Sequence, residues 1–247
     1  MTKKVFVMGG KGGVGKTTVA VNVAAALAAN GYETGLLDLD LHGPDVGRML
    51  GGGIIPSLFF EGKIAPVVFG DTLKVFSLSM VLQEGAPVAW RGPLKHRVLE
   101  EICSKVDWGE IDFLVCDLPP GTGDEVISAF QILDPDGVLV VSTPQEVAID
   151  DVRRAVNFVK KMGKEVIGFV ENMSYFVCPY CGQKSFPFGE GGVDKLSEEF
   201  GVPVIARIPM DPDIVALSDS GRPAVLYKKG SILEEEINKI LERLLTL

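Results

Sequence analysis

Short apolar runs alternate along this chain with segments whose apolar residues recur at helical spacing. The runs are KKVFVMG (3–9), ETGLLDLD (33–40), LKVFSLS (73–79), DFLVCDLP (112–119), GVLVVSTP (137–144), EVIGFVENM (165–173) and PVIARIP (203–209). Most are continuously apolar rather than alternating in polarity, which predicts parallel strands covered on both faces. Helical patterns over 16–30, about 92–105, 122–133, 145–162, 191–200 and 231–246 separate many of them. This alternation predicts an α/β fold, a doubly wound and mostly parallel sheet flanked by helices on both faces. No repeat, low-complexity tract or linker breaks it, so one domain over 1–247 is expected. The stretch from Gly51 to Asp71, with its GGG, departs from the pattern and is expected to be an excursion with room for a hairpin.

The junction between the first strand and first helix carries the clearest chemistry. GGKGGVGKTT (9–18) fits G-x-x-x-x-G-K-[ST] through Gly10, Gly15, Lys16 and Thr17. Glycines let the backbone curl so that its N–H groups face phosphate oxygens, and the following helix start adds partial positive charge. Lys16 can then reach the β- and γ-phosphates, and the Thr17 hydroxyl can ligate Mg²⁺. The strand–loop–helix context is the one this motif requires, so the fold reads as a P-loop NTPase. A second lysine, Lys11, lies near the start of the loop and has no place in the ordinary motif. Taken alone it is either a solvated loop lysine or a second phosphate-directed charge.

Ligands of open α/β sheets sit at the carboxyl ends of strands, which directs attention to the residues there. Asp38 and Asp40 end the second run two positions apart, so in extended chain they share a face. They are either solvated strand-end carboxylates or a pair that orients Mg²⁺ or an attacking water. Asp117 follows four apolar residues in FLVCD and can hold a Mg²⁺-bound water. The PPGTGD loop after it is stiff at its prolines and free at its glycines, suited to sensing a γ-phosphate. Asn172 closes the run VIGFVENM; its amide suits a purine edge and equally suits capping a loop.

Composition narrows the setting. At 47% hydrophobic residues the chain has material for a large core. No apolar run approaches the roughly 20 residues of a membrane span. The chain runs directly into its first strand, so no leader is expected and a cytoplasmic location follows. A net charge of −9 argues against general nucleic-acid binding, which needs a basic face. The four cysteines are too few and too scattered for a disulfide scaffold. Cys103 and Cys116 lie in a helical and an apolar run and read as small core residues. Cys178 and Cys181 form a C-x-x-C in CPYCG. Two thiolates at that spacing can share one metal but do not complete a tetrahedral site. The chain has no second C-x-x-C, and His42 and His96 lie elsewhere in it. Two chains could supply four cysteines across a two-fold axis, for a [4Fe–4S] cluster or zinc. A redox dithiol and a structural zinc knuckle are the rival readings.

KGGVGKTT resembles the deviant phosphate loop of the MinD/ParA/nitrogenase-iron-protein class of dimeric P-loop ATPases. With DLHGPDVGRML, DLPPGTGDE, ENMSYFVCPYCG and IPMDPDI, the chain is similar to the Mrp/ApbC-type iron–sulfur cluster carrier ATPases from Lys3 to about Arg222. The resemblance implies that Gly10, Lys11, Gly12, Gly13, Val14, Gly15, Lys16, Thr17 and Thr18 hold ATP and Mg²⁺. It implies that Lys11 acts in trans on the partner's nucleotide. Asp40 would orient the hydrolytic water, Asp117 would support the metal and Asn172 would contact the adenine. Cys178 and Cys181 would carry a labile [4Fe–4S] cluster bridging a homodimer, with apo iron–sulfur proteins as recipients and zinc as a possible substitute. By the same resemblance the chain is expected to be without the N-terminal extension or extra cysteine cluster of some relatives. Two other functions compete. One is spatial organisation in the manner of MinD or ParA. The acidic residues Glu234, Glu235, Glu236 and Glu242 on the polar face of the last helix suit anionic lipid poorly, and the overall charge does not favour the basic patch that DNA binding requires. The other is a metal-binding adaptor with little turnover.

Overall fold

The computed structural model describes residues 1–52, 59–60, 62–80 and 92–247. Strand β1 (Lys3–Gly9) leads into α1 (Lys16–Ala29), then β2 (Thr34–Asp38) and the short α2 (Val46–Met49). Small strands follow: β3 (Phe59–Phe60), β4 (Lys63–Ile64), β5 (Val67–Phe69) and β6 (Leu73–Phe76). The middle of the chain forms α3 (Gly92–Lys105), β7 (Phe113–Asp117), α4 (Asp124–Leu133), β8 (Gly137–Ser142), α5 (Glu146–Lys161) and β9 (Val166–Val177). The remainder forms β10 (Lys184–Ser185), α6 (Gly192–Phe200), β11 (Val204–Met210), α7 (Pro212–Asp219), α8 (Ala224–Tyr227) and α9 (Ile232–Leu245).

Among the described residues one sheet has nine strands, in the order β10-β9-β8-β1-β7-β2-β6-β5 with β11 also on β9. All its pairings are parallel except β5 on β6 and β10 on β9. The fold is therefore α/β and doubly wound, as the continuous apolar runs imply. Strand β1 lies between β7 and β8, so the chain crosses in both directions from it. Its carboxyl end is the crevice where such sheets bind ligands.

Alternation along β1 builds two cores. Val5 and Val7 face one layer, in which the Ala-rich α1 and the apolar stripe of α9 pack together. Phe6 and Met8 face the other, filled by residues of α3, α4, α5 and α6. Helix α1 is buried around most of its circumference, and its small side chains leave room for α9 behind it. In α9, Ser231 caps the first turn by accepting from the Glu234 amide. Leu233, Ile237, Ile240, Leu241 and Leu244 are buried, so this helix packs on the core. Glu236 does not belong to the polar face as the sequence suggests. It is buried and accepts a 2.6 Å hydrogen bond from the Arg207 amide at the sheet edge.

The expected excursion after Gly51 contains the antiparallel β3/β4 pair, and β5 turns back on β6. Residues 53–58 and 61 of that stretch lie outside the described residues. Strand β9 runs past Asn172 to Val177, so Asn172 does not close its strand. The polar residues Glu171, Asn172 and Ser174 hide this continuation in the sequence, yet all three are buried.

Candidate nucleotide and cysteine sites

The glycine loop between β1 and α1 is shaped by what surrounds it. At Gly10 a Cβ would lie 2.5 Å from the Asp151 carbonyl carbon and 2.6 Å from the Val152 nitrogen, so α5 requires glycine there. Gly13 and Gly15 have φ of 80° and 81°, in the left-handed region that glycine adopts without steric cost. Gly12 and Gly13 are exposed, whereas Val14 is buried and anchors the loop. No side chain caps the start of α1, which leaves its first N–H groups available to an anion.

Two residues of the loop are held from below. Lys16 Nζ forms a buried ion pair with Asp117 Oδ1 at 2.5 Å. Thr17 Oγ1 donates to Asp117 Oδ2 at 2.7 Å. The parallel register places Asp117 beside both Val7 and Asp38, at the ends of neighbouring strands. One carboxylate thus aligns the ammonium and the hydroxyl that phosphate and Mg²⁺ would use. The Gly121 amide donates to the Gly9 carbonyl at 3.3 Å, which ties the PPGTGD loop to the start of the glycine loop.

Asp38 and Asp40 do not form the matched pair that their spacing suggests, because β2 ends at Asp38. Asp38 is buried and accepts from the Asp40 amide, the Val46 amide and Ser77 Oγ at 3.0, 3.3 and 2.8 Å. Burial, then the neighbouring Asp117 charge, pushes its pKa up to about 8. Burial also raises Asp117, against the pull of Lys16 and Thr17. Asp117 holds the ion pair, so Asp38 is the member that keeps its proton near neutrality. Asp40 is half-buried beyond the strand end, and its Oδ1 accepts from the His42 and Gly43 amides.

The raised pKa of Asp38 gives a stability signature. The unfolded chain ionises this group near its ordinary value of 3.8, while the fold holds it neutral up to about 8. Its stabilising share is fully present below the lower value and is lost as pH rises through the upper one. The melting temperature of nucleotide-free protein should therefore fall between pH 5 and 8 (roughly the span of this titration). Asp38→Asn should flatten that slope, and an unchanged slope would reject the assignment.

Lys11 Nζ donates to Gln145 Oε1 of its own chain at 3.3 Å and is half-buried. Asn172 Nδ2 donates to the Val14 carbonyl at 2.9 Å, so its amide braces the glycine loop directly. A Cβ on Gly15 would meet that amide nitrogen at 2.0 Å. Thr18, Asn172, Met173, Phe176, Pro209 and Met210 help line a cavity of about 330 Å³ beside the loop. It is mainly apolar and lies within the size range of ligand pockets. The IPMDP segment supplies part of its wall. Pro209 near the end of β11 and Pro212 at the start of α7 are the sequence signal for that wall, which spacing arguments alone miss.

The cysteines occupy the tip of the hairpin between β9 and β10. The Cys178 amide donates to the Gln183 carbonyl at 3.0 Å, and the Gly182 amide to the Cys178 carbonyl at 2.8 Å. Cys181 is exposed and Cys178 partly so. Hydrogen bonds from the Cys181 and Tyr180 amides lower the pKa of Cys178 and favour its thiolate. Among the described residues no group of three or more His, Cys, Asp or Glu side chains is arranged to hold a metal ion. Cys116 is fully buried, and burial holds its thiol far above the ordinary value. Cys103 is only partly buried rather than a full core residue, though it packs against the core and burial pushes it up to about 12.

A second cavity, of about 490 Å³, lies under the cysteine hairpin against α7 and α9. Phe176, Pro209, Met210, Asp211 and Pro212 line both this cavity and the one beside the glycine loop.

A family model described as ParA, the NUBPL iron-transfer P-loop NTPases, matches residues 1–245. An iron–sulfur cluster carrier protein of Pyrococcus furiosus is 43% identical over 262 aligned positions, covering 97% of this chain and 87% of the relative. Its counterpart in Methanocaldococcus jannaschii is 43% identical over 244 positions, covering 98% and 83%. Among solved structures, a nucleotide-binding protein of Archaeoglobus fulgidus in complex with ADP superposes with a TM-score of 0.77 at 37% identity, covering 90% of this chain and 87% of that one. The septum site-determining protein MinD of Pyrococcus horikoshii with Mg-ADP gives 0.72 at 26% identity, covering 97% and 94%. None of the helices described is long and apolar enough to cross a membrane.

Proposed function

Because this chain belongs to the NUBPL iron-transfer P-loop NTPase family, we propose that it binds and hydrolyses ATP and carries a [4Fe–4S] cluster, held between two copies of itself, to apo iron–sulfur proteins. The observation that carries this reading is the placement of the two cysteines. They sit on an exposed hairpin whose first strand, β9, begins its final stretch at Asn172 against the phosphate loop. A partly exposed Cys178 whose thiolate is favoured by backbone amides, beside an exposed Cys181, suits a cargo that must be received and released. Two soft donors per chain are half of a four-cysteine shell, and a two-fold axis would supply the rest. Zinc satisfies the same donor set and is the substitute expected when the cluster is lost.

The nucleotide half of the reading rests on the loop. Gly10 to Thr18 would wrap the phosphates with backbone N–H groups, and Lys16 would neutralise the β- and γ-oxygens. Thr17 and Asp117 would hold the Mg²⁺ that arrives with ATP and supplies charge neutralisation. Asp40 would orient the water whose oxygen attacks the γ-phosphorus, releasing ADP and phosphate. The apolar cavity beside Thr18 would take the purine, with Asn172 Oδ1 as its polar partner. The MinD-like alternative shares the fold. Against it, α9 spends its apolar stripe on the core and exposes Glu235 and Glu242. Vesicle and DNA pull-downs with ATP should both be negative.

Cluster transfer tests the proposal. Protein reconstituted anaerobically with iron and sulfide should pass its cluster to an apo-ferredoxin, at a rate that changes with ATP. A holo-protein that transfers nothing under either condition would refute the carrier role. Lys11 gives a separate test of dimer chemistry. Lys11→Ala and Asp40→Ala chains should each be nearly inactive as homodimers. Mixed, they should regain turnover, because the heterodimer keeps one site with its own Asp40 and its partner's Lys11. Proven heterodimers without recovery would remove the trans role.

A further inference from the structure

Three elements that sequence reading keeps apart meet beside the Asp40 loop. His42 lies on that loop, Lys95 on α3, and Glu125 in the first turn of α4. Together they line one side of a cavity of about 520 Å³. Lys95 Nζ is 2.8 Å from Glu125 Oε1 and 2.6 Å from His42 Nε2, and His42 Nε2 is 3.5 Å from the same carboxylate oxygen. Lys95 and Glu125 are about one-fifth exposed, so their pairing is better shielded than a surface bridge. An ammonium only donates, so the Lys95 contact needs a lone pair on Nε2. In a neutral ring that contact places the proton on Nδ1.

The backbone of the same histidine faces the other way. The His42 amide donates to Asp40 Oδ1 at 3.1 Å, joined by the Gly43 amide at 3.2 Å. The direction of the Asp40 carboxylate thus depends on where residues 42 and 43 sit, and the half-exposed His42 ring is the contact through which Lys95 and Glu125 bear on that position. Helix α4 in turn starts at the end of the PPGTGD loop, which is bound to Gly9 through Gly121. We infer that His42, Lys95 and Glu125 form a positioning latch for Asp40, which ties its loop to the loop beside the phosphates. The inference rests on the reading of Asp40 as the residue that orients the attacking water. In this reading the three are positioning residues that act through Asp40.

Steady-state hydrolysis, ATP affinity and melting temperature of this protein test this together. His42→Ala, Lys95→Ala and Glu125→Gln should each lower kcat between about ten- and a hundredfold, the cost of a small misplacement near the chemistry. ATP affinity should stay within about twofold, because the phosphate contacts are elsewhere. Lys95→Arg should restore the rate, since a guanidinium also bridges a carboxylate and a ring nitrogen. In ¹⁵N spectra the His42 ring should report the Nδ1–H tautomer, and Lys95→Ala should shift it toward Nε2–H. A merely structural role would lower the melting temperature without moving that signature. If Asp40→Ala hydrolyses ATP normally, the reading of Asp40 fails and the latch with it. If Asp40→Ala is inactive while His42→Ala and Glu125→Gln turn over at the wild-type rate, the latch alone is overturned. An Nε2–H tautomer in the unmodified protein would overturn it as well.

Discussion

Lys16→Ala should abolish tight ATP binding and reduce turnover by at least about 10²–10³-fold, the usual loss on removing one preorganised charge-stabilising donor. The fold adds a second consequence that a phosphate-loop motif does not announce. Lys16 is the cation that faces buried Asp117, 2.5 Å away. Among the described residues, removing it leaves a desolvated carboxylate with only the Thr17 hydroxyl as a side-chain donor. Breaking a buried pair from one side typically costs roughly 3–5 kcal/mol, lessened here by protonation of Asp117. The variant should therefore melt several degrees lower even without nucleotide. Adding Asp117→Asn to Lys16→Ala removes the orphaned charge, so the double variant should regain stability but not ATP binding. Titration calorimetry and thermal melts separate the two effects. Unchanged affinity and unchanged turnover in Lys16→Ala would sink the nucleotide assignment. A double variant no more stable than the single one would show that the buried pair is not the source of the melting loss.

Cys178→Ser or Cys181→Ser should take iron content from about two atoms per chain, one [4Fe–4S] cluster per dimer, to near zero. ATP affinity should hardly change. The thiols lie at a hairpin tip outside both cores, so their loss removes no packing. Zinc-loaded protein should hold about half a zinc per chain with four sulfur ligands in X-ray absorption. Cys103→Ala and Cys116→Ala should keep the cluster, although Cys116→Ala should cost stability because that side chain is fully buried. A full cluster on a monomer would overturn the bridging arrangement. So would loss of the cluster in folded Cys103→Ala or Cys116→Ala protein.

Much of this fold is legible in the chain. Continuous apolar runs mark the parallel strands because each has to be covered on both faces, and the six expected helices fall within about two residues of those observed. What escapes has identifiable causes. The short helices α2, α7 and α8 carry too few turns for a periodic signal. Helix α7 begins at a capping Asp211 followed by Pro212, a local signal that is readable only once its position is suspected. The end of β9 is masked by polar residues that the fold buries, as when Ser174 Oγ donates to Glu171 Oε1 at 2.5 Å. At the site, the glycine loop is local and therefore readable. The separation of Asp38 from Asp40 depends on where β2 ends, and spacing alone does not reveal that. The His42–Lys95–Glu125 cluster is assembled by topology from distant segments and has no sequence signature.

The partition formed by Phe176, Pro209, Met210, Asp211 and Pro212 carries an obligation of its own. A wall with a chamber on either side cannot be displaced on one face and stay still on the other. A guest in the chamber beside the phosphate loop that shifts Met210 or Phe176 reshapes the space under the cysteine hairpin. Thermodynamics then requires symmetry: the factor by which one guest changes the affinity of the other is the same in both directions. A ratio of two nucleotide dissociation constants, measured with cysteines loaded and empty, therefore equals the ratio by which nucleotide tightens or loosens the grip on the cargo. Where that ratio departs from one, the occupancy of the hairpin can be read from the far side of the wall, without observing the cargo itself.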